Sequence, residues 1–336
     1  MNQPSLALEP DPIPRAAKVF VRDLCDGQPV DSVFMVRERS RRQKKNGDPF
    51  LKLQLGDVTG AVEAVLWEGV DALDEVCGPG RPVYVTGRFS REQRFGATIT
   101  VRLVRAAEPH EYDPADLHEG PPVAYDQMVG DLRSLLETVR NPHLNALLCR
   151  FFEEGCPVWE RWRQAPAAKH YHQAYRHGLL EHSLSVAQAV SAISATFPGI
   201  DRDVAVTGAL LHDIGKIESY AADSGAIELT DAGKLQGEIP LGYYLVRREI
   251  EELPGFPPAM AQAVLHIILS HHGQLEHGSP VVPCTREATL VHMLDNLGGR
   301  LGSFDRLEKG LGDGDSWSSF DRALSGSAYF GATRAA

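Results

Sequence analysis

Cysteine is scarce in this chain: Cys25, Cys77, Cys149, Cys156 and Cys284 are the only five in 336 residues, and no two are spaced as Cys-x-x-Cys. That argues against a zinc knuckle or a redox motif, and reads as reduced thiols in a cytoplasmic protein. Long apolar runs are missing as well. No uncharged stretch reaches the roughly 20 residues needed to cross a bilayer, and Met1 to Pro14 lacks the basic-then-apolar order of a signal peptide, so no membrane partner is expected. There is no internal repeat and no long low-complexity tract. Positive charge is short overall, with 34 Lys and Arg against 45 Asp and Glu, a net of −11.

The shortage is uneven, and the unevenness is informative. Residues 15–108 carry 16 basic and 13 acidic side chains, a net of +3, whereas the remainder carries 18 and 32, a net of −14. The acidic excess therefore lies with the His-rich part, where cations are expected. A hydrophobic fraction of 43% and a charged fraction of 24% are ordinary for a globular chain, and the length suffices for two domains.

Residues 1–14 are Pro-rich and are expected to be disordered. From residue 15 the apolar pattern has period two. Val30–Val36 is a strand candidate; Phe50 to Leu55 alternates with Leu51, Leu53 and Leu55 inward; Asp57-Val58-Thr59-Gly60 is a tight turn, and Ala61–Trp67 returns. A short helix at about 69–77 precedes strands at Pro82–Phe89 and Ala97–Val104. Three strands, a helix and two strands predict a five-stranded OB-fold barrel over 15–108. The stretch Arg37 to Lys45, with six basic residues in nine, is predicted as the loop between the first two strands. In OB folds that loop flanks the ligand face, so Arg41, Arg42, Lys44, Lys45 and Lys52, with Phe50 as a stacking surface, are candidate contacts to single-stranded RNA or DNA. The alternative is a solvated loop that keeps the protein soluble. Trp67 and Phe95 fit either the binding face or the barrel core.

Residues 109–122 are Pro- and acid-rich and predicted as a linker. From Tyr125 the period becomes helical to about residue 302, giving an all-α domain over 123–305 and a Gly- and Ser-rich tail, 306–336, that packs as a loose strap around Trp317, Phe320 and Tyr329. In this part the chemistry gathers. The apolar run Val204 to Leu211 ends in His212-Asp213-Ile214-Gly215-Lys216, so an adjacent His and Asp close a buried helix, where an unpartnered charge is prohibitively costly. Lys216 shares their helical face. A helix at about 172–196 carries His182 on the edge of the stripe Leu180, Leu184 and Ala187. Gly237-Glu238, His271-His272-Gly273 at a helix end, and Asp295 on an otherwise apolar helix follow in order.

Imidazoles mixed with carboxylates suit Mn²⁺, Fe²⁺, Co²⁺ or Ni²⁺. His182, His212, Asp213 and Asp295 can surround one ion. Asp213 can bridge to a second held by His271, His272 and Glu238, and two such ions are the usual apparatus of phosphoester hydrolysis. Asp213 and Lys216 are then the catalytic candidates, Lys216 balancing charge on the phosphoryl oxygens. Each piece has a bland alternative: Glu238 caps the following helix or pairs with Arg247. His266 lies off the His271 face and reads as structural, and His110, His118, His143 and His277 read as surface residues.

The order His, His-Asp, a polar residue after Gly, His-His, Asp resembles that of the HD-domain phosphohydrolases. Residues 168–300 look like the HD domain of the YhaM-type 3′→5′ exoribonucleases, which also carry an N-terminal OB domain. The matching segments are His172-Gln173-Ala174-Tyr175 with Gly178 to His182, Leu211 to Lys216, Ser270 to Gly273, and His292 to Leu297. The resemblance implies 3′-end degradation of single-stranded RNA, and also DNA, to nucleoside monophosphates with Mn²⁺ or Co²⁺, Mg²⁺ being a hard-donor alternative. It makes His172, Tyr175 and His292 candidate substrate contacts. The chain departs from the family at Glu238 and Gln173, where histidines are usual, and at Gly298, where an acid is common. Glu238 bears on the second metal, Gln173 and Gly298 on substrate contacts. Two other readings compete: an HD phosphohydrolase of small nucleotides whose OB domain is a homo-oligomer contact, and a non-catalytic nucleic-acid-binding protein with a degenerate HD domain.

Overall fold

Strand β1 (Pro29–Gln43), β2 (Pro49–Asp57), β3 (Gly60–Leu66), helix α1 (Val70–Leu73), β4 (Pro82–Glu92) and β5 (Gly96–Ala106) follow from the period-two pattern of the first third of the chain. In the computed structural model, which describes residues 18–44, 46–92, 96–117, 120–169, 173–221, 227–309, 311 and 314–331, they close into a barrel in the order β1-β2-β3-β5-β4. β3 and β5 run parallel and the other pairs antiparallel, so this is the expected OB-type barrel. Leu51, Leu53 and Leu55 face inward and are buried, packed with Phe34, Val83, Phe89 and Ile99.

The basic stretch is not a loop. Arg37 to Gln43 continue β1 and pair with β2, from Arg39 opposite Leu53 to Gln43 opposite Pro49. A bulge between Val36 and Glu38 marks the point where β1 leaves β4, its partner over Pro29–Met35, for β2. At the far end of that hairpin the buried Asp57 accepts hydrogen bonds from the backbone of Thr59 and Val21, both at 2.8 Å, and from the Thr59 hydroxyl at 2.6 Å. These bonds satisfy its carboxylate and tie the entering chain to the turn. Part of the stretch expected as a linker also belongs to the barrel unit: helix α2 (Pro114–Leu117) buries Leu117 against Val33 and Met35.

The chain divides into two units at Leu117 and His118. The second unit contains α3 (Tyr125–Glu137), α4 (Pro142–Phe152), α5 (Pro157–Trp162), α6 (Gly178–Ser194), α7 (Arg202–Leu211), α8 (Lys216–Ser219), strands β6 (Tyr220–Ala221) and β7 (Glu228–Leu229), α9 (Asp231–Gln236), α10 (Glu238–Glu251), α11 (Pro258–Ser270) and α12 (Arg286–Lys309). The short β6–β7 hairpin interrupts the purely helical expectation, and α12 runs seven residues past the expected end. Asp201 starts α7 by accepting from the backbone of Asp203 and Val204. Every residue from Val204 to Leu211 is then buried, because α7 is enclosed by α6, α11 and α12. Among the described residues no helix is long and apolar enough to cross a membrane. The tail folds back through bridges between Trp317 and Tyr329 and between Asp321 and Gly326, and buries Phe330 against Phe304.

Candidate metal centre

Two buried helices end in histidine, and each ending imposes the same local chemistry. His212 follows the last residue of α7, and His271 the last of α11. The last carbonyls of a helix have no intrahelical partner. His212 Nδ1 donates to one of them, Ala209, at 2.7 Å, and His271 Nδ1 donates to Ile268 at 2.8 Å. With the Nδ1 proton so engaged, Nε2 of each ring is the free donor. Both helices also direct the negative ends of their dipoles here, which favours a cation.

His182, in the second turn of α6, and Asp295, in α12, complete the first group. His182 Nε2 lies 3.2 Å from His212 Nε2, 3.3 Å from Asp213 Oδ2 and 3.1 Å from Asp295 Oδ1, and His212 Nε2 lies 3.4 Å from Asp213 Oδ2. Donors held at right angles round a divalent ion at ordinary bond lengths are about 3.0 Å apart, so this spacing fits a shared ion. On the other side, Asp213 Oδ1 and His271 Nε2 face each other at 3.4 Å, both buried and, among the described residues, without a hydrogen-bond partner. Leaving such atoms unsatisfied costs roughly 1–3 kcal/mol each, a cost that coordination removes. His272 Nε2 lies 3.7 Å from Glu238 Oε1, and its Nδ1 donates to the His277 carbonyl at 2.8 Å. His182, His212 and Asp213 therefore offer donor atoms close enough together to hold a divalent ion, with Asp295 beside His182 and His271 beside Asp213.

The charges are arranged to match. Burial pulls the His182 imidazole down, but the Asp213 and Asp295 carboxylates outweigh it and raise it to about 9. His271 is raised by the same balance of burial against those carboxylates. Burial would push Asp213 and Asp295 up, yet Lys216 and His212 hold the first, and His182 and His212 the second, well below the usual carboxylate range. His272 is lowered, by burial and then by neighbouring His271. Lys216, the first residue of α8, is buried but remains a cation because its Nζ donates to Asp213 Oδ2 at 2.6 Å. It is thus engaged with Asp213, not directed at open space.

Glu238 reaches the site because Gly215 lets α10 approach. A Cβ at Gly215 would lie 2.0 Å from the Glu238 carbonyl oxygen and 2.5 Å from the Gly242 nitrogen. Glu238 is the first residue of α10, where an acid also suits the helix dipole, and Arg247 bonds to Tyr243 and Glu251 and not to Glu238. Beside these residues opens a pocket of about 250 Å³ lined by His271, His272, His277, His292, Asp295 and Asn296.

Of the other candidates, His292 lines that pocket and donates from Nδ1 to the His271 carbonyl at 2.7 Å. Tyr175 donates its hydroxyl to Glu181 at 2.6 Å. His266 is structural, its Nε2 accepting from the Cys284 backbone at 2.8 Å. His172, Lys45 and Phe95 lie outside the described residues. On the barrel, Phe50 stacks on Trp67 with centroids 4.8 Å apart, and Trp67 is 44% exposed, hence not core. Several of the basic candidates are already engaged: Arg41 pairs with Asp71 and Lys52 with Glu63, each at 2.7 Å, while Lys44 donates to the Trp67 carbonyl at 3.0 Å. Arg42 is exposed and has no ion pair among the described residues. Sequence reasoning missed three neighbours of the site. His277, read as a surface residue, orients His272 and lines the pocket; Asn296 lines it too; and Gln173, read as a substrate position, touches His182. Adjacency to His172, to Asp295 and to the His-His turn is the signal that could have found them.

The residues from His182 to Asp295 lie within a segment that matches a known family. The HD domain family matches residues 179–299. The 3′-5′ exoribonuclease YhaM of Geobacillus sp. (strain WCH70) is 30% identical over 84% of this chain and 86% of its own length. That of Oceanobacillus iheyensis is 30% identical over 84% and 88%, and that of Bacillus subtilis (strain 168) 28% over 83% and 88%.

Proposed function

The chain belongs to the YhaM family of 3′-5′ exoribonucleases, and from that premise we propose that it is a metal-dependent hydrolase removing nucleoside monophosphates from the 3′ end of single-stranded RNA, with single-stranded DNA as a second substrate. The observation that carries this reading is the convergence of imidazole and carboxylate donors on Asp213, including two buried atoms that have no hydrogen-bond partner among the described residues.

His182, His212, Asp213 and Asp295 would hold one divalent ion, and Asp213, His271, His272 and Glu238 a second. Such ions activate water and neutralise the phosphoryl oxygens, and this mixed donor set suits Mn²⁺ or Co²⁺, with Mg²⁺, Ni²⁺ and Fe²⁺ as alternatives. The rest is done by side chains of this chain. Lys216 fixes the Asp213 carboxylate and offsets part of its charge. His292 and Asn296, on the pocket wall, receive the terminal nucleotide. On the barrel, Phe50 and Trp67 offer aromatic faces to bases, and Arg41, Arg42, Lys44, Lys45 and Lys52 meet phosphates.

The test is incubation of metal-loaded protein with a 5′-labelled oligoribonucleotide, resolved on a sequencing gel. A ladder that shortens from the 3′ end, absent in Asp213→Ala, is the expected result. Hydrolysis of free nucleotides with the oligonucleotide left intact would replace this reading with a small-nucleotide phosphohydrolase.

A further inference from the structure

Gln173 stands in a backbone conformation that few side-chain-bearing residues adopt, left-handed with φ +60°. Its surroundings hold it there. The Ala167 N–H donates to the Gln173 carbonyl at 3.1 Å, and the Leu179 N–H donates to the Ala165 carbonyl at 2.9 Å, so the turn is stitched to the segment after α5. Gly178 packs so closely that a Cβ there would lie 2.0 Å from the Gln173 carbonyl oxygen. His177, in the same turn, is also left-handed at φ +69°. Rare backbone conformations that are over-determined by their surroundings recur at functional sites. Here the consequence is directional: the Gln173 side chain meets His182, its Oε1 lying 3.1 Å from His182 Nδ1.

His182 needs such a partner for a reason that His212 and His271 do not share. Those two lie just past helix ends, where unpaired carbonyls accept their Nδ1 protons. His182 lies inside α6, where the preceding carbonyls serve the helix itself. An acceptor for its Nδ1 proton must come from elsewhere in the fold.

We propose that Gln173 is a positioning residue that accepts the His182 Nδ1–H hydrogen bond, fixes the ring with Nε2 facing the metal, and through its neutral amide sets the strength of that nitrogen as a donor. The proposal rests on the metal reading of the site. Partners of this kind orient metal-binding histidines and tune their basicity. A carboxylate at 173 would draw on the Nδ1 proton more strongly and make Nε2 a better donor; removal of the amide would take this acceptor from Nδ1.

The experiment is calorimetric titration of Mn²⁺ into metal-free unaltered protein, Gln173→Gly and Gln173→Glu, with ¹⁵N-histidine NMR of the metal-free forms. Glycine accepts the left-handed backbone, so Gln173→Gly removes the amide without straining the turn. The expected result is a loss of about 10–100-fold in affinity at one site only for Gln173→Gly, and tighter binding at that site for Gln173→Glu. A hydrogen-bonded His182 Nδ1–H signal is expected in the unaltered protein and in Gln173→Glu, and not in Gln173→Gly. Equal affinities in all three, or no such signal in the unaltered protein, would overturn the role of Gln173 while leaving the metal site standing. Failure of the unaltered protein to take up Mn²⁺ would overturn the metal reading and this inference with it. Should Gln173→Gly not fold, the Gln173→Glu affinity and the unaltered protein's spectrum decide.

Discussion

Glu238 is one of three positions at which the sequence departs from the pattern it resembles, and its position 3.7 Å from His272 gives that departure a chemical meaning. A carboxylate brings a negative charge and a hard oxygen donor where an imidazole would bring a neutral nitrogen. Glu238→Ala is therefore expected to lose one metal ion and keep the other, and Glu238→His to keep both while shifting preference from Mn²⁺ towards Co²⁺ or Ni²⁺. Metal analysis of purified variants checks this; two ions bound to Glu238→Ala with unchanged preference would remove Glu238 from the site. A second expectation concerns protons. In the metal-free protein His182 is raised to about 9 by the carboxylates beside it, so near neutral pH it carries a proton that a metal must displace. Because the folded value lies above the ordinary one, this proton is bound throughout the range below about 9 and is lost only as the pH rises through it. Apparent metal affinity should thus climb by up to about tenfold per pH unit from 6.5 to 8, and binding should release protons, seen as a dependence of titration enthalpy on buffer. A flat profile would contradict it. His182, His212, Asp213, His271 and Asp295 were legible in the sequence because an ionisable group inside an apolar run needs a partner. Gln173 and His277 were not, because each acts through an amide or a backbone carbonyl that sequence pattern does not mark.

At the level of elements, the contact between the turn before α8 and the first turn of α10 determines whether Glu238 is present at all. Gly215→Ala would drive a methyl group against the Glu238 carbonyl and the Gly242 nitrogen, both backbone atoms that cannot rotate away. The expected outcome is a loss of about 1–3 kcal/mol in stability, the usual range for overpacking, and loss of the Glu238-dependent metal before the other. Thermal denaturation with metal counting tests it, and an unchanged melting temperature with two ions bound would show that α10 is free to retreat. The elements most readable from the sequence were those with one buried face. Leu51, Leu53 and Leu55 alternate because β2 has an inside and an outside, and α7 is buried without a break from Val204 to Leu211 because it is enclosed. Arg37 to Gln43 misled because that end of β1 buries none of its side chains: charges on an exposed ribbon carry the composition of a loop, and pairing with β2 is made by the backbone alone.

For the molecule as a whole, the charge split between its parts predicts a separation of labour. The barrel carries a net of +3 and the rest −14. Replacing Arg41, Arg42, Lys44 and Lys45 by Gln should weaken RNA binding and flatten its dependence on salt, by about 0.7 in the log–log slope for each phosphate no longer neutralised. Because Arg41 already pairs with Asp71, the slope should fall by less than four phosphates would account for. Trp67→Ala should instead cost about 1–3 kcal/mol in binding with the slope unchanged, since stacking displaces no counterions. Hydrolysis of a small chromogenic phosphodiester should be the same in all of these. Binding titrations at several salt concentrations decide, and an unaltered slope in the fourfold variant would reduce the basic strand to a solubilising surface. The way β1 is shared between two partners also governs how the barrel can be made. Its later half can pair with β2 as soon as residues 49–57 have been synthesised, but its earlier half must wait for residues 82–88 of β4. Until β5 has joined β3 to β4 as well, the curled sheet has two open edges, and an open edge is a template for pairing with another chain. The ladders that close the barrel are those of β5 (Gly96–Ala106) with β3 and β4, and a growing chain caught before them is at its most prone to aggregate.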